Sequence, residues 1–245
     1  MKSAKQKPMY RYLMILTICS AVGLQGWLTL FNNFAVEVAG LEGIHIGVIQ
    51  SVREIPGFLA LLAIFVMLLV KEHRLSALST LVLGIGLAAT GLFPSFVGLL
   101  ITTLIMSFGF HYYETANMSL GLQYFSPRVS PWVFGKLRSV CAAANIGVGL
   151  LIFVLAGFLS YRIIYFLIGG AVMLMGLWAM TRNPADRGLP VQRKRMILRS
   201  KYWLFYFLTF MAGARRQIFM AFAVLLLVKK FGFSLREVTF LFVLN

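Results

Sequence analysis

Six ionisable side chains lie deep inside long apolar runs: Arg53 and Glu54, His111 and Glu114, Arg215 and Arg216. An ionised group at membrane depth costs about 2.5 to 3.5 kcal/mol even on insertion scales, so it faces protein or a water-filled cavity and marks a solute path or proton relay. Guanidinium groups suit planar carboxylate or phosphate, which makes Arg53, Arg215 and Arg216 candidate clamps for a small, anionic solute. Arg215 and Arg216 are adjacent, so only one is expected to reach a lumen. Glu54, His111 and Glu114 are the candidate proton-coupling groups. His111 and Glu114 stand three residues apart on a face shared with Ser107 and Asn117, where two titratable groups can share or relay a proton. Gln25, Thr29 and Asn32 recur at i, i+4 and i+7, one helix face. Gln25, Asn32 and Asn145 are therefore candidate cavity-lining groups. The plainer alternatives are a buried ion pair that only fixes helix packing and a His/Glu pair that bonds neighbouring helices. A His/Glu pair at this spacing also occurs in di-metal bundles, but the second motif and further carboxylates such a site needs are missing. No metal or cofactor is expected.

The stretch 43–70, GIHIGVIQSVREIPGFLALLAIFVMLLV, is the element that must hold Arg53 and Glu54. It is long enough to cross a bilayer, which takes roughly 20 apolar residues. Neighbours on a helix point about 100° apart, so one of the pair is expected to look into a lumen while an adjoining helix holds the other. Pro56 and Gly57 follow, and in a membrane helix they predict a kink whose freed backbone groups need protein or water partners.

Charged residues are 12% of the 245 and hydrophobic ones 60%, with mean hydropathy +0.87. Soluble domains carry about 25% charged residues, so the composition is that of a polytopic membrane protein. The net charge of +16 does not indicate nucleic acid, because the basic residues fall between apolar runs and not on one solvated face. Cys19 and Cys141 sit in apolar segments without metal-ligand spacing and read as packing residues. The amino terminus has a basic flank and an apolar run but no convincing cleavage site, and reads as an uncleaved first span.

Spans are expected at about 13–36, 43–70, 75–92, 96–124, 137–159 and 163–180, then at 202–228, with an eighth run starting at Ser234. Pro94 and Ser95 join the third and fourth so briefly that these must be antiparallel neighbours. Ser139, Ala143 and Gly147 form a small-xxx-small edge on the fifth, expected to admit another helix closely. Seven Lys/Arg in 181–201 mark a basic linker. Lys/Arg asymmetry places the amino terminus and this linker in the cytoplasm, in a membrane read as a bacterial inner membrane.

RYLMILTICSAVGLQGW…GIHIGVIQSV and KYWLFYFLTFMAGARRQIF…GFSLREVTFL, about 190 residues apart, share a base and Tyr at entry, an interrupted polar span, then Gly, a hydrophobe, a polar helix start and a new apolar run. Six spans, a basic linker and a restart resemble the major facilitator superfamily of secondary transporters. The resemblance implies an all-α fold with a six-helix bundle over 1–180, the linker 181–201 and the start of a second, incomplete bundle over 202–245. It departs from the family pattern in two places: Lys71, Glu72, His73 and Arg74 replace the usual loop motif, and the fifth span's glycines stand without proline. The implied function is secondary transport of a small solute by alternating access, coupled to protons, without enzymatic chemistry. The implied partners are the solute, the lipid bilayer, protons and, because the eighth run stops at Asn245 too short to span, a missing C-terminal half. A non-transporting seven-helix sensor is the rival; it leaves the 190-residue echo unexplained. A membrane enzyme needs a clustered nucleophile or metal set, and these groups are scattered.

Overall fold

The protein is represented by a computed structural model. It describes residues 7–184 and 199–244, apart from the side chains at 61, 209–210, 212–221 and 243–244. The expected linker lies largely outside the described residues. Every regular element described is helical. α1 (Lys7–Asn33) runs on as a π-helix (Phe34–Val38). The second span is divided into α2 (Gly43–Arg53), α3 (Ile55–Leu59), a 3-10 turn (Ala60–Leu62) and α4 (Ala63–Leu69). α5 (Glu72–Thr90), α6 (Phe96–Tyr124), α7 (Ser130–Leu155), α8 (Tyr161–Met180), α9 (Trp203–Phe231) and α10 (Leu235–Leu244) follow.

Five described helices are long and apolar enough to cross a membrane, and the pair Gly43–Leu59 and Ala63–Leu69, bent by 54°, brings the number to six when it is counted as one broken span. The helix ends have local causes. Ser95 caps α6, its Oγ accepting from the Gly98 N–H at 3.1 Å, which satisfies one of the donors a helix start leaves open. At α10, Ser234 and Glu237 form a reciprocal capping box: the Ser234 N–H donates to Glu237 Oε2 at 2.7 Å and the Glu237 N–H to Ser234 Oγ at 3.4 Å. The restart seen in the sequence has a backbone counterpart, but at Gly40, three residues before the Gly43 that the sequence comparison set against Gly232. Gly40 and Gly232, the described residues with positive φ (61° and 67°), turn the chain out of α1 and α9. After each, the next N–H reaches six residues back, Leu41 to the Ala35 carbonyl at 2.8 Å and Phe233 to the Leu227 carbonyl at 3.1 Å. Glycine suits both places because the left-handed conformation costs other residues about 1 to 2 kcal/mol.

α5 is the centre of the bundle, with α6 packed along one side and α8 along another. Backbones meet there: a Cβ on Gly86 would overlap Met106, one on Gly109 would overlap Leu83, and those on Gly84 and Gly169 would overlap Met173 and Ala88. With little hydrophobic drive between helices in lipid, such close van der Waals approach carries association. The α5–α6 contact is the antiparallel pairing that the short Pro94–Ser95 connection requires. The small-residue edge expected on the fifth span does not act this way. Ser139, Ala143 and Gly147 on α7 are exposed, and a Cβ on Gly147 would meet nothing within 4 Å. Spacing identifies which residues permit close approach, and the bundle places the approaching helix at α5 instead. α1 lies against α7 and α8, and α10 against α7, where the Arg236 guanidinium sits 5.1 Å from the Phe153 ring centroid.

Candidate functional site

The second span breaks where the sequence puts its charges. Pro56 has no N–H, and the Gly57 N–H donates to the Glu54 carbonyl at 3.0 Å, so the Arg53 carbonyl has no donor four residues ahead. α6 supplies the replacement: the Ser107 hydroxyl donates to the Arg53 carbonyl. One turn on, His111 lies against Gly57, where a Cβ would come within 3.1 Å of its Cε1. Tyr112 OH donates to the Leu59 carbonyl at 3.1 Å, just before the 3-10 turn. Three consecutive features of α6 thus hold the broken span, and they supply the protein partners that a kinked membrane helix requires.

Arg53 and Glu54 do not part company as an unbroken helix predicts. Arg53 Nε and Nη2 both donate to Glu54 Oε1, at 3.0 and 2.8 Å. Their side chains are 7% and 27% exposed. Glu54 is the junction of α2 and α3, where the regular ladder stops, and both side chains are long enough to curl together there. The Arg53 guanidinium also lies 5.2 Å from the centre of the Trp27 ring on α1, a cation–π distance. Trp27 is fully buried and stacked on Phe31 with centroids 4.2 Å apart. The result is a buried cation matched by one carboxylate, set between α1 and the break, with His111 within electrostatic reach of both charges.

The remaining candidates are dispersed. Glu114 is exposed and lies within electrostatic reach of Cys141 on α7, so His111 and Glu114 have different neighbours despite their spacing. On α1, Thr29 and Asn32 are buried and Gln25 half-buried, and Gln25 Nε2 donates to Thr29 Oγ1 at 3.3 Å. Asn145 is half-buried on α7. Arg215 and Arg216 fall on α9, with side chains outside the described residues.

A second polar node joins the two repeats. Asn33 Nδ2 donates to Glu37 Oε1 at 2.7 Å and to the Phe233 carbonyl at 3.0 Å, and Tyr161 OH donates to Glu37 Oε2 at 2.8 Å. It ties the end of α1 to α8 and to the α9–α10 turn. Sequence reasoning missed it because its members are scattered over 200 positions. The break in the ladder that Pro56 imposes was the signal that could have pointed to a hydroxyl such as Ser107.

No family model matches the chain, and no curated protein matches it. Among solved structures it is similar to the crystal structure of nucleoside transporter NupG, at 16% identity and TM-score 0.60, over 70% of this chain and 43% of that one. A mutant form of the same transporter aligns at 16% identity and TM-score 0.70, over 94% of this chain and 62% of that one. Over the aligned part the chain shares the fold of that protein. It spans less than two thirds of the length of either transporter chain. The likeness bears out the all-α, multi-span architecture.

Proposed function

We propose that the chain handles a small, neutral polar solute of the nucleoside class, moved across the membrane by alternating access with a proton exchanged at Glu54. The observation that carries this reading is the enclosed Arg53–Glu54 pair at the break of a span, backed by Trp27 and held by α6, within a fold shared with a nucleoside transporter. The pair carries no net charge while Glu54 is ionised, which favours a neutral solute over a free anion. A proton on Glu54 weakens its acceptor oxygens, and the guanidinium donors become available to a carbonyl or hydroxyl of the solute. When the solute leaves and the proton departs, the pair re-forms. In this reading His111 passes that proton. Gln25, Asn32 and Asn145 line the path in this reading, Arg215 and Arg216 are the groups assigned to it from the α9 sequence, and Glu114 balances charge on the α7 side. The Asn33–Glu37–Tyr161 node closes one end and has to part when that end opens.

The test is uridine uptake into proteoliposomes holding the chain, with and without an inward proton gradient. Arg53→Ala is expected to abolish uptake. Glu54→Gln is expected to keep counterflow exchange but lose proton-driven accumulation. Unchanged accumulation in Glu54→Gln would sink the coupling step. If succinate is taken up and uridine is not, the neutral class is wrong and the arginines act as an anion clamp.

A further inference from the structure

Thr80, Thr90 and Thr102 are satisfied on their own helices, donating to the carbonyls of Ser76, Gly86 and Gly98, while Ser76 Oγ, Thr103 Oγ1 and Tyr165 OH are buried without a partner among the described residues. Two further unmet groups lie beside the charged break. Trp27 Nε1 and Gln50 Oε1 are buried atoms with no hydrogen-bond partner in the protein, in side chains 0% and 7% exposed. Gln50 is one turn before Arg53 on α2, on the same side of the helix, and the Trp27 ring is the one over which Arg53 lies. Each unmet group carries a desolvation cost with no return from the fold itself. An apolar residue of similar size would serve the packing better in both places.

We infer that Gln50 and Trp27 are specificity-determining contacts for the solute, reading a neutral heterocycle that presents a hydrogen-bond donor and acceptor side by side. This rests on the proposed transport of a neutral polar solute and adds which edge of that solute is read. A carboxamide offers both an acceptor and a donor and pairs two-point with such an edge. The indole N–H donates to a further acceptor, and Arg53 to another. Sites built this way reject analogues that leave their buried polar groups unpaired.

The experiment measures binding of uridine and 3-methyluridine, which lacks the ring N–H, to the purified chain, together with its melting temperature. The chain is expected to bind uridine at least about tenfold more tightly than the methylated form. Gln50→Leu is expected to melt no lower, to lose about tenfold in uridine affinity and to bind the two nucleosides equally. Trp27→Phe is expected to keep the melting temperature and weaken both nucleosides. A lower melting temperature in Gln50→Leu would show the carboxamide held by the protein and overturn the inference. So would unchanged uridine binding in that variant, which means ordered water alone meets the group. Failure of the chain to bind either nucleoside also overturns it. Arg53-dependent uptake of another neutral solute would leave the transport reading standing.

Discussion

Replacing Ser107 by alanine tests whether the break in the second span is held from α6. The Arg53 carbonyl accepts from Ser107 Oγ, and the N–H that would serve it in a regular helix, that of Gly57, is turned to the Glu54 carbonyl. Ser107 is 1% exposed, so water does not readily take its place. Orphaning a buried acceptor costs about 1 to 3 kcal/mol, while measured hydrogen bonds between membrane helices average about 0.6 and reach about 1.7 kcal/mol. A closed site with no alternative donor belongs near the top of the second range, so Ser107→Ala is expected to cost about 1.5 kcal/mol. That is roughly tenfold in the folding equilibrium. Pro56→Ala supplies the missing N–H and lets the ladder close, returning the Gly57 N–H to Arg53. In that background Ser107→Ala is expected to cost less than about 0.5 kcal/mol, a coupling near 1 kcal/mol in a double-mutant cycle. Equilibrium unfolding in mixed micelles measures all four proteins. Additive losses, within about 0.3 to 0.5 kcal/mol, would refute the reasoning.

Gly109→Ala drives a Cβ into the backbone of Leu83 and is expected to cost about 1 to 3 kcal/mol or more by overpacking. Gly147→Ala enters open space and is expected to gain up to about 1 kcal/mol from helix propensity; equal melting temperatures for the two would contradict the packing at α5. Glu37→Ala removes the acceptor shared by Asn33 and Tyr161, a loss of about 1 kcal/mol, and amide exchange around Gly232 is expected to quicken about fivefold. An unaltered rate there means the node does not hold the repeats together. Gly40→Ala and Gly232→Ala each force alanine into the left-handed region at about 1 to 2 kcal/mol. Similar losses of unfolding free energy are expected, and a neutral result at either would break the equivalence of the two turns.

Much of the architecture was legible because its causes are local. An apolar run of bilayer length makes a helix wherever it sits, and Pro94 and Ser95 start α6 at Phe96, the position read from the sequence. Pro56 and Gly57 announced a broken span for the same reason, since a missing N–H needs no tertiary partner to be felt. The turn at Gly232 likewise follows from residue type, whereas its counterpart is Gly40 and not the Gly43 that the sequence comparison set against it. Partnership was not legible. The 100° rule separates Arg53 from Glu54 only while the helix continues, and the break that the prolyl ring imposes lets the two side chains meet. His111 and Glu114 share a face by spacing, yet one meets the broken span and the other looks toward α7, because α6 passes different neighbours a turn apart. Ser139, Ala143 and Gly147 could admit a helix and none described comes, whereas α5 receives two. Helix periodicity states what each face offers; only the positions of the other helices decide which offer is taken up, and in a membrane those positions are set by close packing and by where buried polar groups find partners.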